Sequence, residues 1–114
     1  MLEEYQMRYI EGILKDGTAI LVEGKNDLIA LEKLGLETII DISGKRLDDV
    51  SSMIKLRHSK IIILTDFDRE GIIQYKRLKN LLMSDGVEVD DNSRRMFRKI
   101  FLVNRIEELT SYLR

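Results

Sequence analysis

The chain has 114 residues, of which 44% are hydrophobic, so it can form one domain around a single core. Its 19 basic and 20 acidic side chains give a net charge of −1, and this overall charge predicts neither a nucleic-acid binder nor an acidic tail. The lack of cysteine excludes a disulfide framework and a cysteine-ligated zinc site. No apolar run approaches the roughly 20 residues that span a bilayer. The amino terminus is acidic and amphipathic, unlike a signal peptide. We therefore expect a soluble cytoplasmic protein that does not associate with a membrane.

The first two elements predicted along the chain are an amphipathic helix and a short buried strand. Five apolar residues recur at helical spacing: Leu2, Tyr5, Tyr9, Ile13 and Leu14. They predict a helix over residues 2–15, ended by Gly17. The strand covers residues 18–22 and runs directly into Glu23. We therefore expect Glu23 to lie at the carboxyl end of a strand.

A second strand–helix unit is predicted around two glycines. Gly24 allows the backbone to turn sharply and a ligand to approach closely. We expect Asn26 or Asp27 to cap the next helix, which Gly35 ends. The second strand is predicted over residues 37–42 and is followed by a polar loop and a helix that reaches Arg57. His58, the single histidine, is interpreted as a solvated residue at that helix end.

The apolar run 61–64 predicts the third strand, over residues 60–65, buried on both faces. It leads into Asp66 and Asp68, and a helix is predicted over residues 70–84, closed by Gly86. Its inward residues are predicted to be Ile72, Ile73, Leu78, Leu81 and Leu82.

The last elements predicted are a short basic helix, a fourth strand and a terminal helix. We expect the basic helix over residues 93–99, with its cap among residues 90–92. The apolar run IFLV predicts a strand over residues 100–103, and the terminal helix covers residues 107–113.

The alternation of strands and helices predicts an α/β fold with a parallel sheet, helices on both faces and right-handed crossovers. The carboxyl ends of parallel strands share one edge of the sheet, where open α/β folds place their chemistry. Glu23, the loop 43–46, Asp66, Asp68 and Asn104 should therefore lie at that edge.

The carboxylates at this edge predict a magnesium site. Asp66 and Asp68, separated by one residue in a turn, can both face one cation. Mg²⁺ prefers one or two carboxylates together with waters and phosphate oxygens. Glu23, at a neighbouring strand end, would be a third ligand or a general base. Glu70 begins a helix, where an acid commonly offsets the helix dipole.

Basic residues at the same edge suit a phosphodiester substrate, because they would neutralise its non-bridging oxygens. They are Lys25, Lys45, Arg46 and Arg69. Each of them can equally be an ordinary solvated loop residue. A second basic group lies on the short helix and either follows a nucleic-acid backbone or forms a solvated helix face. It comprises Arg94, Arg95, Arg98 and Lys99.

Three other interpretations of the acidic stretch do not fit the sequence. A calcium-binding loop would need glutamate at its twelfth position, where the chain has Arg77. A phosphatase with an aspartate nucleophile would need a small hydroxyl residue where Glu70 stands. A dinucleotide fold would need Gly-x-Gly-x-x-Gly after the first strand, and this motif is absent.

The segments AILVEGKND at 19–27 and IIILTDFDREG at 61–71 resemble the two motifs of the Toprim domain. Those motifs are a glutamate-glycine after the first strand and an Asp-x-Asp after the third. The Toprim domain is shared by primases, type IA and type II topoisomerases, several nucleases and the ribonuclease that matures the smallest ribosomal RNA. The likeness covers nearly the whole chain and is greatest to small stand-alone Toprim proteins of archaea and bacteria.

The resemblance implies a three-layer, Rossmann-like fold with about four mainly parallel strands and helices on both faces. It implies a single domain over residues 1–114, with an N-terminal helix at 1–16, a core at 18–104 and a C-terminal helix at 105–114. The stretch after Gly71 departs from type IA topoisomerases, which have a further glutamate where this chain has Ile72. No catalytic tyrosine domain, zinc-binding module or helicase-docking module accompanies the chain, so we expect neither a topoisomerase nor a full primase.

The resemblance also implies roles for individual residues. Glu23 would be the general acid/base, and Asp66 and Asp68 would bind Mg²⁺, with Mn²⁺ as a substitute. Three further residues would support the site: Gly24, Asp27 and Gly71.

Two functions agree with these residues. The first is Mg²⁺-dependent phosphodiester chemistry by a small nuclease, or an enzyme of nucleotidyl-transfer type, acting on structured RNA or DNA. The second is a non-catalytic module that binds nucleic acid or docks a partner in a replication, repair or RNA-processing complex. A domain of this size has little surface for a long substrate, which favours a protein partner or a homodimer.

Overall fold

The computed structural model describes residues 2–113, over which helices and strands alternate. The elements are α1 (Glu4–Asp16), β1 (Ala19–Val22), α2 (Lys25–Lys33), β2 (Ile39–Asp41), α3 (Leu47–Arg57), β3 (Lys60–Ile63), α4 (Arg69–Ser84), β4 (Glu88–Val89), α5 (Asp91–Phe101) and a C-terminal 3₁₀ helix (Ile106–Leu113). Within this range no helix combines the length and the apolar character needed to cross a membrane.

The four strands form one parallel sheet in the order β2-β1-β3-β4. β1 and β3 are the central pair, with Leu21 opposite Ile63. Nearly every residue of these two strands is buried, as expected for strands covered on both faces. The predicted α/β fold with a parallel sheet is confirmed.

Alternate residues of the central strands face two separate hydrophobic cores. Ile20, Val22, Ile62 and Leu64 pack with α1, α2, α5 and the 3₁₀ helix. Ala19, Leu21, Ile61 and Ile63 pack with α3 and α4 on the other face. The period of two follows from the geometry of a strand, whose successive side chains point to opposite faces. The molecule therefore has the three predicted layers.

The prediction of a fourth strand at residues 100–103 is wrong. α5 continues through Phe101, and Leu102 ends it in the left-handed conformation with φ of 54°. Phe97 and Phe101 are one helical turn apart and fully buried, and both rings pack against Tyr9. A short apolar run does not distinguish a buried helix turn from a strand, and here helical packing prevails. The fourth strand is instead Glu88–Val89, which pairs with β3.

Several predicted details also change. α2 starts at Lys25 with Gly24 as its N-cap, so neither Asn26 nor Asp27 caps it. Tyr5 was predicted to face inward, but it is 56% exposed; Gln6, Ile10 and Ile13 form the buried face of α1. Ile73 was also predicted to face inward, but it is exposed, because it lines an open cleft. His58 ends α3, and no chemistry is assigned to it.

Candidate active site

The ends of β1 and β3 form one side of an acidic cleft at the carboxyl edge of the sheet. Because these strands are paired neighbours, the residues that follow them lie side by side. The cleft has a volume of about 450 Å³ and is lined by Glu23, Asp27, Thr65, Asp66, Asp68, Glu70, Gly71, Ile73, Gln74 and Arg77. The three acids predicted from the sequence, Glu23, Asp66 and Asp68, thus share one cleft.

Both aspartates of the Asp-x-Asp segment also hold the local backbone. Oδ1 of Asp68 accepts a hydrogen bond of 2.8 Å from the amide of Gly71, so that Asp68 is the N-cap of α4. Oδ1 of Asp66 accepts a hydrogen bond of 2.8 Å from the amide of Ile106. Over residues 2–113, no three metal-ligating side chains lie close enough together to hold an ion as they stand. One oxygen of each aspartate is therefore committed to structure.

Close packing explains both glycines of the two motifs, against backbone at Gly71 and against the Asp27 side chain at Gly24. A Cβ atom on Gly71 would lie 2.0 Å from the carbonyl oxygen of Asp66, a distance at which no side chain fits. The hydroxyl of Thr65 donates a hydrogen bond of 2.7 Å to the carbonyl of Gly71 and closes this turn. A Cβ atom on Gly24 would lie 3.2 Å from Oδ2 of Asp27. Gly71 thus brings α4 against the candidate ligands, and Gly24 leaves room for the Asp27 carboxylate.

Burial, and then repulsion between neighbours, raises the pKa values of three carboxylates in the cleft. Desolvation by burial, then repulsion from Asp66, Glu107, Asp41 and Glu23, raises the pKa of Asp27 to about 6. Desolvation, followed by repulsion from Glu70, Asp66 and Asp41, also raises the pKa of Glu23. The pKa of Asp66 is raised by burial, although the hydrogen bond from Ile106 opposes this. Burial and mutual repulsion therefore both disfavour the ionised form of these carboxylates.

Asp41 is a residue of this edge that the sequence analysis did not single out. It is the last residue of β2, and its carboxylate accepts a hydrogen bond of 2.9 Å from the amide of Ser43. Burial acts to raise the pKa of Asp41, but hydrogen bonds from Ser43 and from the backbone of Gly24 lower it overall. Asp41 therefore stays ionised and supports the loop that carries Glu23. Its place at a predicted strand end was the available signal.

The C-terminal segment contributes two further residues, Arg105 and Glu107, that sequence reasoning missed. Nε of Arg105 lies 3.7 Å from Oδ2 of Asp68. A second cavity, of about 280 Å³, is lined by Glu23, Gly24, Lys25, Asn26, Asp27, Asp66, Arg105 and Glu107. Nothing in the local sequence signals these contacts, since they depend on how the last segment folds back over α2.

The basic residues predicted for the edge are only partly brought to the acids. Lys25 lines the smaller cavity, together with Glu23 and Asp66. Lys45 and Arg46 follow β2 in an exposed loop, and Arg69 is the exposed first residue of α4; these three line neither cavity. Arg77, about two helical turns beyond Arg69 in α4, lines the acidic cleft.

Arg94 is buried, so it does not belong to the solvated face expected for the basic helix, whereas Arg95, Arg98 and Lys99 are exposed. Arg94 is 6% exposed, and its guanidinium donates hydrogen bonds to the carbonyls of Ile63, Thr65 and Asp66, at 3.1, 2.8 and 3.1 Å. It also lies over the ring of Phe67, 4.6 Å from the centroid. Burial lowers the pKa of Arg94 to about 10, which leaves it charged at neutral pH. Arg94 therefore fixes the strand end that presents the Asp-x-Asp segment.

The molecule is thus a parallel α/β protein with a Glu-Gly loop after β1 and an Asp-x-Asp loop after β3, at one edge of the sheet. This is the arrangement that the two sequence motifs predict. The Toprim domain matches residues 18–100, and the chain belongs to the Toprim family.

The chain is similar to several UPF0292 proteins of archaea. It is 45% identical over 82 residues to one from Thermococcus sibiricus, and the matched region covers 71% of this chain and 64% of the relative. It is 37% identical over 92 residues to another from Thermoplasma volcanium, and the matched region covers 79% of this chain and 77% of that relative. The fold is similar to the solved structure of a protein from Aquifex aeolicus, with a TM-score of 0.78 and 38% identity over 91% of this chain and 94% of that one. The predicted Toprim resemblance and fold are confirmed.

Proposed function

We propose that this chain carries out Mg²⁺-dependent phosphodiester chemistry on nucleic acid, as a small Toprim nuclease acting on structured RNA or DNA. The observation that carries the proposal is the meeting of Glu23, Asp66 and Asp68 in one cleft, delivered by two neighbouring strands. Membership of the Toprim family supports metal-dependent work on nucleic acid in general. Nuclease activity is a more specific proposal than family membership alone supports.

The donor set fits Mg²⁺ chemically. Carboxylate oxygens are hard ligands of the kind this ion prefers. The pKa values of Glu23, Asp27 and Asp66 are raised first by burial and then by repulsion between neighbouring carboxylates, and a bound divalent cation would offset both effects. Asp66 and Asp68 would hold the ion through the oxygens that are not committed to backbone amides. When bound, Mg²⁺ supplies charge neutralisation at the phosphate and a lower pKa for water.

Glu23 is the residue suited to proton transfer. It is exposed in the cleft, and a raised pKa makes its carboxylate a stronger base and brings its titration closer to neutral pH, as general acid/base catalysis requires. In the proposed reaction Glu23 takes the proton of the attacking water or returns one to the leaving oxygen. Lys25 and Arg105, which line the adjoining cavity, would pair with the non-bridging oxygens of the phosphate.

One observation favours a second candidate, a non-catalytic module that binds nucleic acid or a protein partner. The hydrogen bonds from Gly71 and Ile106 give Asp68 and Asp66 structural roles that need no catalysis. A docking module could therefore keep both aspartates. It has no comparable reason to keep Glu23, for which the structure provides no backbone partner within residues 2–113.

A cleavage screen separates the two candidates. End-labelled single-stranded and hairpin RNA, and single- and double-stranded DNA, are incubated with the protein and Mg²⁺ or Mn²⁺, beside Glu23→Gln and Asp66→Asn. Asn retains an Oδ1 atom for the Ile106 amide, so Asp66→Asn should keep its fold. Glu11→Gln, on the exposed face of α1, is the matched control. Cleavage by the wild type and the control that is lost in both site variants supports the nuclease. Binding without cleavage in every protein supports the docking module.

A further inference from the structure

A third cavity, separate from the acidic cleft, is lined by residues of α4 and α5. Its volume is about 420 Å³, and it is lined by Phe67, Ile72, Tyr75, Asp91, Arg94, Arg95, Arg98 and Lys99. We call it the α4–α5 groove. It shares no lining residue with the cleft, yet Phe67 stands between Asp66 and Asp68, and Ile72 follows Gly71. The groove and the cleft are therefore neighbours along one segment of chain.

The exposed rim of the groove carries three positive charges that form no salt bridge among residues 2–113, although Arg95 interacts electrostatically with Asp91. Arg95, Arg98 and Lys99 lie at helical spacings of three and four residues, which places them on one side of α5. Over residues 2–113, no carboxylate forms a salt bridge with any of the three. The one acid of the groove, Asp91, is already engaged by the hydroxyl of Tyr75 and the ammonium of Lys79.

The floor of the groove is a fixed apolar and aromatic surface. Arg94 lies between two rings, with its guanidinium carbon 4.6 Å from the centroid of Phe67 and 4.3 Å from that of Tyr75. Its hydrogen bonds to the end of β3 hold it there, so its charge is used within the protein. Arg98 also lies over Phe67, at 5.6 Å, and donates a hydrogen bond to Asn104. Because the rings are covered by Arg94, Arg98 and Phe97, the groove offers cations on a rigid base rather than open stacking faces, and this suits the phosphates of a nucleic-acid backbone.

The charge of the cleft makes such a surface necessary for a polyanionic substrate. Glu23, Asp66 and Asp68 repel phosphate, so a strand needs nearby cations that hold it against this repulsion. The rim residues Arg95 and Arg98 are beside the segment that carries both aspartates. We propose that the α4–α5 groove binds the phosphodiester backbone of a single nucleic-acid strand next to the acidic cleft. This inference rests on the proposed function for the nature of the ligand, but not on cleavage.

Binding measured without divalent metal tests the groove separately from catalysis. Fluorescence anisotropy of labelled single-stranded RNA and DNA in EDTA compares the wild type with the double variant Arg95→Gln/Arg98→Gln. The matched control, Lys55→Gln/Arg57→Gln, removes two charges from exposed residues near the end of α3. We expect the groove variant to bind roughly tenfold more weakly. The slope of log Kd against log salt should fall by roughly 1.4, since each single-strand phosphate contact contributes about 0.7. RNA and DNA arms show which backbone is preferred.

The outcomes separate this inference from the nuclease proposal. Unchanged affinity and salt slope in the groove variant would overturn the proposal that the groove binds nucleic acid. An equal loss of affinity in the control variant would overturn it as well. A wild type that binds neither oligonucleotide also overturns it. Tighter binding of polyglutamate than of either oligonucleotide would identify an acidic protein partner instead. Metal-free binding that depends on the groove, together with no cleavage when Mg²⁺ or Mn²⁺ is present, would support the groove proposal and contradict the nuclease proposal. Thermal melting of all variants confirms that each is folded.

Discussion

The amide of Ile106 donates a hydrogen bond of 2.8 Å to Oδ1 of Asp66, forty residues earlier in the chain. The residue before it, Arg105, brings its guanidinium to 3.7 Å from Oδ2 of Asp68. The C-terminal segment, which lies beyond the Toprim match at 18–100, is therefore bonded to both candidate metal ligands. Its charge and its position should affect how the cleft binds a cation.

Arg105→Gln should tighten divalent-cation binding. The Arg105 guanidinium partly neutralises Asp68 and Asp66. Without it, the two carboxylates attract a divalent cation more strongly. An exposed ion pair is worth about 0.2–1 kcal/mol, so the Kd for Mn²⁺ should fall by roughly two- to threefold. Paramagnetic resonance of free Mn²⁺ measures it, with Arg57→Gln as a control of equal charge change. Weaker binding in Arg105→Gln would mean that Arg105 organises the cleft rather than competes with the cation.

Gly71→Ala should damage the fold at the site. The added Cβ atom would lie 2.0 Å from the carbonyl oxygen of Asp66, and hydrogen bonds hold both this carbonyl and the backbone of Gly71 in place. We expect a loss of about 3 kcal/mol or more in the free energy of unfolding, measured by urea denaturation.

Gly12→Ala is the control for this substitution. Gly12 lies inside α1, where an added Cβ atom meets nothing within 4 Å. Alanine is favoured over glycine in a helix interior, so this variant should gain about 0.5–1 kcal/mol. Equal behaviour of the two variants would show that the close approach at Gly71 is not a constraint.

Asp27→Asn should stabilise the protein at neutral pH and not at acidic pH. The pKa of Asp27 is raised from 3.8 to about 6 in the fold, so the protonated form is favoured there. Its stabilising effect is full below pH 4 and is lost as the pH rises through 6. Asn mimics the protonated form at every pH. The variant should match the wild type near pH 3.5 and exceed it by roughly 1–3 kcal/mol at pH 7.5, since one pKa unit corresponds to about 1.4 kcal/mol.

Urea denaturation at both pH values measures this difference for Asp27→Asn. Mg²⁺ at pH 7.5 should narrow the gap, because the ion relieves the same repulsion in the wild type. A gap that does not depend on pH would mean that Asp27 is ionised in the cleft without cost.

Arg94→Met should be strongly destabilising. It removes the donors for three buried carbonyls at the end of β3 and a buried charge that lies between two aromatic rings. We expect a loss of about 3–5 kcal/mol, since leaving buried polar groups unpaired is costly. Hydrogen exchange should show faster exchange at residues 63–68. Arg57→Met, at an exposed position, should change stability by less than about 0.5 kcal/mol. A mild effect of Arg94→Met would indicate that water replaces the guanidinium.

The strands and the positions of the acids could be predicted because they depend on local signals. The run Ile61–Ile63 is buried on both faces in the sheet, and an apolar run of this kind predicts such a strand from the sequence alone. Residues that follow parallel strands must share an edge, which brings Glu23 and Asp66 into one cleft.

The remaining features depend on contacts between distant parts of the chain. The run of residues 100–103 is helical at its start because Phe101 packs with Phe97 and Tyr9, and no local signal favours this over a strand. The local sequence does not distinguish Arg94 from its exposed neighbour Arg95. Arg94 is buried because it packs against the end of β3, where it donates a hydrogen bond to the carbonyl of Thr65. Asp66 meets Ile106 through the same long-range packing.

Direct cation binding tests most closely the claim that Asp66 and Asp68 hold a divalent cation in the cleft beside Glu23. Mn²⁺ is titrated into the wild type, Asp66→Asn, Asp68→Asn and the surface control Glu11→Gln, and the free ion is followed by paramagnetic resonance. We expect saturable binding in the wild type and the control, and at least tenfold weaker binding in each aspartate variant that still melts cooperatively. Equal binding by all four proteins, or no saturable binding by the wild type, would contradict it.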